Sequence, residues 1–337
     1  MASCVDNPRT RTKAKSNDDS DRSHGENSAS NDMELDLPGI HNLASCIDLN
    51  KNQEKQNETC RILIAESEEE RKEDEIWMEL KEEASIGVQE EPVLSDYYSS
   101  SILSHNSLES ALANQLSVKL SSSSVPKNTL FDLFLGVLEE DEEVMAAVKD
   151  DLRAVKEADP ECTSYVHCFL NLKGFLACQA HRVAHKLWLQ GRKALAGLIQ
   201  SRVSEVFAVD IHPGAQIGRG TVLDHATGVV MGGTVVLGNN VTISHNVTLG
   251  GTGKDYGDRH PKIGDGVLIG PWTKVLGNVR IAEDAKIEAG SVVLNEVPPR
   301  ATAGGNPARL ICGNGNPVRL DHMHSSTRID QTSRIVE

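Results

Sequence analysis

The chain has 337 residues, enough for two ordinary domains with tails, and a formal net charge of −15. That acidity argues against general nucleic-acid binding and against adhesion to an anionic membrane, leaving only local basic sites for a phosphorylated ligand. Apolar residues make up 39% of the chain and aromatic residues only 4%, so a core has to be built from Val, Ile, Leu and Ala.

No apolar run approaches the ~20 residues of a membrane span. The seven cysteines are Cys4, Cys46, Cys60, Cys162, Cys168, Cys178 and Cys312. Their number is odd, no pair has CxxC spacing, and no secretory apolar stretch opens the chain. The expectation is reduced thiols and a cytoplasmic protein. Arg9, Arg11, Lys13 and Lys15 make an organelle transit peptide the second reading, but Asp18, Asp19 and Asp21 follow, and transit peptides are poor in acids.

Residues 1–72 are rich in Ser, Asn, Asp, Glu and Lys, and the first aromatic residue is Trp77. Such a composition buries too little apolar surface to offset chain entropy, so a disordered acidic tail is expected. Residues 73–205 read as an all-α domain. Leu108, Leu112 and Leu116 recur on one helix face, as do Val144, Val148, Leu152 and Val155. Phe169, Leu172, Leu176, Ala180, Val183 and Leu187 form a third stripe. Pro160 disfavours helix at the residue before it, so the second stripe should stop there.

From Ile211 the pattern changes. Every sixth residue is aliphatic: Ile211, Ile217, Leu223, Val229, Val235, Val241 and Val247. After the glycine-rich stretch 250–262 the series resumes at Ile263, Ile269, Val275, Ile281, Ile287 and Val293. Neither a helix nor a flat strand has this period. A six-residue period means one short strand and one tight turn. Three such sides close a triangular coil, and stacked coils make a parallel β-helix over residues 206–298. These aliphatic residues should point inward. Small residues two places earlier (Ala215, Thr221, Thr227, Gly233, Thr273, Ala285, Ser291) should fill the corners. Residues 250–262 become a loop thrown out of the prism, a common home for function, and 299–337 a C-terminal tail.

The hexapeptide pattern resembles the left-handed β-helix acyltransferases, and the expected left hand rests on that likeness. The segments VDIHPGAQIGRG, LDHATG, VTLGGTGK and GDRHPKIGDG are similar to signatures of the serine acetyltransferases, their plant-type members above all. The likeness spans about residues 75–315, including the α domain before the β-helix. It implies transfer of acetyl from acetyl-CoA, as co-substrate, to the hydroxyl of L-serine, giving O-acetyl-L-serine for cysteine biosynthesis. It implies no permanently bound cofactor and no metal. It also implies trimers with sites between neighbouring prisms, two trimers joined through their α domains, and L-cysteine as a feedback inhibitor competing in the serine site.

The chemistry explains why such residues are needed. A serine hydroxyl is a weak nucleophile, and attack on a thioester needs a base that takes its proton. Histidine, with a pKa near 6.5, suits this. The resemblance assigns the base to His225 and its orienting carboxylate to Asp210. It places Asp159 and Asp224 near the substrate ammonium, and Arg259 and His260 near its carboxylate, where a guanidinium fork fits well. Gly251 and Ala289 match backbone N–H donors on the acetyl-CoA side, the first close to the reacting carbonyl. Arg309 suits a CoA phosphate. His212 and His245 read as structural, with His245 stacking at a corner.

Three departures stand out. Gly233 occupies a position where the family commonly has Glu. Pro271 and Trp272 replace a small, glycine-containing pair. Proline has no N–H to offer the pantetheine arm and tryptophan fills space, so weakened CoA affinity is expected. Finally, the chain ends in Glu337, whereas plant-type relatives end in an isoleucine that enters O-acetylserine (thiol)lyase. Binding to that lyase is therefore expected to be weak or absent. Three alternatives compete: a non-catalytic assembly or regulatory homologue, a sugar O-acetyltransferase of the same fold, and a γ-type carbonic anhydrase with zinc on His225, His245 and His260.

Overall fold

A computed structural model describes residues 75–158, 162, 164–253 and 257–311. The acidic tail 1–72, Asp159 and the tail beyond Ile311 lie outside the described residues.

Helices come first: α1 (75–90), α2 (Ser95–Tyr98), α3 (Leu108–Leu120), α4 (Lys127–Glu140), α5 (Glu142–Ala158), α6 (Tyr165–Asn171), α7 (Lys173–Leu189) and α8 (Lys193–Phe207). Local chemistry sets their starts. Ser107 caps α3 by accepting the Ser110 N–H at 3.3 Å, and Ser164 caps α6 by accepting the His167 N–H at 3.0 Å. The stripes on α3 and α5 are buried, as their periodicity predicts, with Val144 half-buried at the start of α5, and α5 ends at Ala158, ahead of Pro160. The third stripe is not one helix. Leu172 takes an extended ψ of 103°, which separates α6 from α7. The break lets α7 begin hard against the β-helix. A Cβ on Gly174 would stand 2.0 Å from the Leu223 carbonyl oxygen, so only glycine fits there.

Cys162 and Cys168 are joined in a disulfide across α6's first turn, their Cα atoms 6.3 Å apart. This corrects the expectation of reduced thiols for that pair. The absence of CxxC spacing misled, because the start of a helix folds residues six apart back within bridging distance. Cys178 is free and buried.

Ala208, at φ 57°, turns the chain out of α8 into β1 (Val209–Ile211). Thirteen short strands follow a three-sided left-handed path, β1 to β13 (Val292–Val293), and a hairpin of β14 (Thr302–Gly305) and β15 (Ala308–Ile311) closes the end. One face stacks β1, β4 (Val229–Met231), β7 (Thr248–Gly250), β10 (Lys274–Leu276) and β13. The second stacks β2 (Gln216–Ile217), β5 (Val236–Leu237), β8 (Lys262–Ile263) and β11 (Arg280–Ile281). The third stacks β3 (Val222–Leu223), β6 (Thr242–Ile243), β9 (Leu268–Ile269) and β12 (Lys286–Ile287), then the hairpin. All pairings among β1–β14 are parallel.

The register corrects the six-residue count. Ile211 pairs with Met231, Ile217 with Leu237 and Leu223 with Ile243, an offset of 20, whereas β4 pairs with β7 at 18. The turn at 224–228 therefore carries two extra residues. Beyond it the strand residues facing inward are Met231, Leu237, Ile243 and Leu249, all buried. Val229, Val235, Val241 and Val247 are buried as well, but they occupy the place two residues earlier, equivalent to Ala215 and Thr221. Thr227 is exposed and Gly233 half-buried, so neither fills a corner. The period hid the slip because both places in each hexapeptide are apolar. After the loop the offset is 18 again, and Ile263 through Val293 face inward as expected.

Candidate active site

The two extra residues at 224–228 build the first half of the site. His225 and Ala226 adopt φ of 52° and 54°, and the turn is tied by Ala226 N–H to Asp224 O and Thr227 N–H to His225 O, each 2.6 Å. These constraints push the His225 ring outward, 78% exposed, with Nε2 3.8 Å from Asp224 Oδ1. The turn's end is pinned to the start of β1, where Gly228 N–H donates to Ala208 O at 2.7 Å. Asp210 follows in the middle of β1, opposite Val230 of β4. Its Oδ1 accepts from Gln200 Nε2 of α8 at 2.7 Å.

His245 and Trp272 continue this corner through the next two coils. The His245 ring stands edge-on to His225 at 5.9 Å, and Trp272 stands edge-on to His245 at 6.4 Å. His245 thus stacks at a corner, as the sequence suggests, but directly beside the candidate base. Its Nδ1 is buried and has no partner among the described residues. Period six alone does not align these two histidines. Their separation of 20 is the coil spacing once the slip is included. Trp272 is 64% exposed and donates its N–H to His245 O at 3.0 Å. It takes φ 64°, a conformation that costs a bulky side chain about 1–2 kcal/mol.

The second half lies where the loop leaves β7 and returns to β8. Arg259 runs over Gly251, so close that a Cβ there would touch its Cγ and Cδ at 3.4 Å. His260 is buried. Its Nδ1 accepts from Thr234 N–H at 3.2 Å and lies 2.7 Å from Thr234 Oγ1; the accepted N–H leaves the ring proton on Nε2. Gly232 lies under that ring, and a Cβ there would fall 2.1 Å from Nε2. Burial and the neighbouring Arg259 hold the His260 imidazole below its usual pKa, so it is neutral near pH 7.

These halves sit at opposite ends of one face. His225 is at the corner entering β4, and Arg259 and His260 are at the corner leaving β7. Roughly six residues of extended chain separate such corners, or about 20 Å. One copy therefore brings His225 and Asp224 together, with Asp210 on the strand beside β4, and separately Gly251, Arg259 and His260. Ala289 is exposed in the last full turn of the His225 corner, where its backbone lies close to Gly270. Arg309 is exposed on β15 beside a cleft of about 270 Å³, its Nη1 donating to Ala308 O at 2.9 Å. Sequence reasoning gave no role to Thr234 or to Lys262, although Lys262 lies within the quoted GDRHPKIGDG segment; both organise the loop base.

Comparison with known proteins gives this geometry a context. The family model for the serine acetyltransferase N-terminal region matches residues 76–180, and that for the bacterial transferase hexapeptide, six repeats, matches 260–295. Serine acetyltransferase 3, mitochondrial, of Arabidopsis thaliana is 55% identical over 337 residues, covering all of this chain and 84% of its own. Serine acetyltransferase 1, chloroplastic, of the same plant is 58% identical over 78% of this chain and 84% of its own. Among solved structures, soybean serine acetyltransferase complexed with serine superposes with a TM-score of 0.69 at 59% identity, over 70% of this chain and 97% of that one. Serine acetyltransferase of Brucella abortus in complex with coenzyme A does so with a TM-score of 0.70 at 45% identity, over 71% and 96%. On this evidence the chain belongs to the serine acetyltransferase family.

Proposed function

We propose that the protein transfers acetyl from acetyl-CoA to the hydroxyl of L-serine. The observation that carries this reading is the outward His225 on its inserted turn, with Asp224 beside it and Asp210 on the adjoining strand β1. His225 takes the serine hydroxyl proton as the oxygen attacks the thioester carbonyl. Asp210 orients the ring and stabilises the imidazolium. The tetrahedral intermediate expels the CoA sulfur, which recovers the proton from His225, and O-acetyl-L-serine leaves. Asp224 and Asp159 hold the substrate ammonium, and Arg259 and His260 its carboxylate. Gly251 offers its N–H to the developing oxyanion, and Ala289 and Arg309 bind CoA.

Because the two groups of residues end one face about a strand apart, a single small amino acid cannot bridge them within one copy. The reading therefore includes a trimer in which one prism's His225 corner meets its neighbour's loop corner, with two trimers forming the hexamer. Retention of Asp224, Arg259 and His260 supports inhibition by L-cysteine, whose thiol replaces the hydroxyl.

Trp272 and Pro271 stand on the His225 corner, and this supports a weakened affinity for acetyl-CoA. It also favours a second reading, a folded assembly partner without turnover. Thiol release from acetyl-CoA, with and without L-serine, separates the two. Serine-dependent release that His225→Ala abolishes supports the enzyme, and none above that variant in a folded oligomer leaves the assembly role.

Among the described residues no helix is long and apolar enough to cross a membrane. For location, the acids at 18–21 favour the cytoplasm, while alignment of the whole chain with a protein named mitochondrial favours an organelle. Imaging residues 1–72 fused to a fluorescent protein distinguishes them.

A further inference from the structure

We propose that Lys262 and Thr234 are positioning residues that lock the returning arm of the loop, and so hold Arg259 and His260 ready for the acceptor's carboxylate. The proposal rests on the reading of that pair as the serine-carboxylate site.

The contacts converge on two side chains from different coils. Lys262 stands on β8, outside the prism. Its ammonium has three donors, and three acceptors surround it: Asp258 Oδ1 at 2.5 Å, Thr234 O at 2.6 Å and His260 O at 3.0 Å. Thr234 lies one coil earlier, just before β5. Its N–H donates to His260 Nδ1, its Oγ1 lies 2.7 Å from the same nitrogen and accepts the Arg259 N–H at 3.2 Å, and its carbonyl accepts from Lys262. Every polar group of Thr234 is therefore spent on residues 258–262.

The need for such a lock follows from the loop. It adds eight residues to the coil, since β5 pairs with β8 at an offset of 26 rather than 18. Gly253 and Gly257 take φ of 78° and 85°, so the arm has little stiffness of its own. Asp258 contributes from the arm's side. The Lys262 hydrogen bond holds its carboxyl below the usual range, which keeps it charged towards the ammonium. Arg259 and His260 sit between these anchors. Lys262 and Thr234 bond to the returning arm itself, so their effect passes through the pair they hold.

The test measures L-serine binding by calorimetry beside steady-state turnover, on the full chain. The variants are Lys262→Met, Thr234→Val, Thr234→Ser and Asp258→Asn. Lys262→Met should raise the dissociation constant and KM for L-serine about tenfold, a charge-assisted contact's worth, and Thr234→Val about fivefold, a neutral contact's. KM for acetyl-CoA should stay within about twofold, and Thr234→Ser, which keeps the hydroxyl, should restore serine affinity. Asp258→Asn, the mildest change, should give a smaller shift in the same direction. Unchanged serine affinity in Lys262→Met and Thr234→Val, with the wild type binding normally, overturns the lock and leaves the acceptor site standing. A wild type that does not bind L-serine overturns the acceptor reading and the lock with it. Equal rises in both substrates' KM values mark a merely structural role and also overturn the proposal.

Discussion

Arg182 of α7 and Asp151 of α5 meet at the seam between the helices and the β-helix, with Arg182 Nε and Nη2 each 2.9 Å from a carboxylate oxygen. Both are buried, and both reach further. Asp151 also accepts from Gln179 Nε2 and from the Thr221 N–H of the first coil, each at 2.9 Å. Arg182 donates to the carbonyls of Ile217 at 3.1 Å and Gly218 at 2.7 Å. One ion pair thus satisfies three backbone groups of the coil that carries Asp210.

Breaking this pair should be costly, because the partner left behind is a buried, uncompensated charge. Asp151→Ala is expected to lose about 3–5 kcal/mol in urea unfolding. Asp151→Leu with Arg182→Met should recover only part of the loss, since the Thr221 N–H and the Ile217 carbonyl lose these partners. Full recovery would show that the seam is held by packing alone.

Acid should loosen the same seam. His181 of α7 is buried with Nε2 3.2 Å from Ala215 O, and burial pushes its imidazole down to about 3. Its unfolded value is near 6.5, so the unfolded chain binds the extra proton first. Stability is intact above pH 6.5 and falls as the pH drops towards 3. Between pH 7 and 5.5 this one group should remove about 1 kcal/mol. His181→Gln should flatten that part of the pH–stability curve, whatever its effect at neutral pH.

At the His225 corner, His225→Ala should lower kcat by roughly 10²–10⁴-fold, the usual contribution of a general base. On the proposed role of Asp210 in orienting the base, Asp210→Asn should also lower kcat while leaving KM for L-serine nearly unchanged. Single-turnover thiol release measures both. An active His225→Ala variant would place the base elsewhere.

Pro271 and Trp272 give a gain-of-function prediction. Pro271→Ala supplies one N–H, worth ~1 kcal/mol or about fivefold in KM for acetyl-CoA. Trp272→Gly removes a bulky residue from φ 64° and should also raise stability by about 1 kcal/mol in thermal unfolding. If KM for acetyl-CoA is unmoved in both variants, the donor does not bind along this corner.

Much of the molecule was legible in the order of its residues. The helical stripes on α3 and α5 report which faces are buried, because one face of an amphipathic helix must find the core. The six-residue recurrence of aliphatic residues reports a three-sided coil, because every coil has to bury the same positions. Asp224-His225 and the Arg259-His260 pair announce themselves by interrupting that regularity with groups a core does not need.

Other features were decided only by packing. The two-residue slip at 224–228 is invisible to a count of every sixth residue, because each hexapeptide buries two apolar places and a shift of two exchanges one for the other. Which corner a residue occupies, and hence that His245 and Trp272 join His225 while Arg259 and His260 stand a face away, follows from that slip and from the eight-residue loop. The break at Leu172, the Cys162–Cys168 bond and the Thr234–Lys262 contacts likewise depend on which backbones approach one another. The hydrophobic period determined the shape of the coil, and hydrogen bonds between residues far apart in sequence determined how its exceptions were arranged.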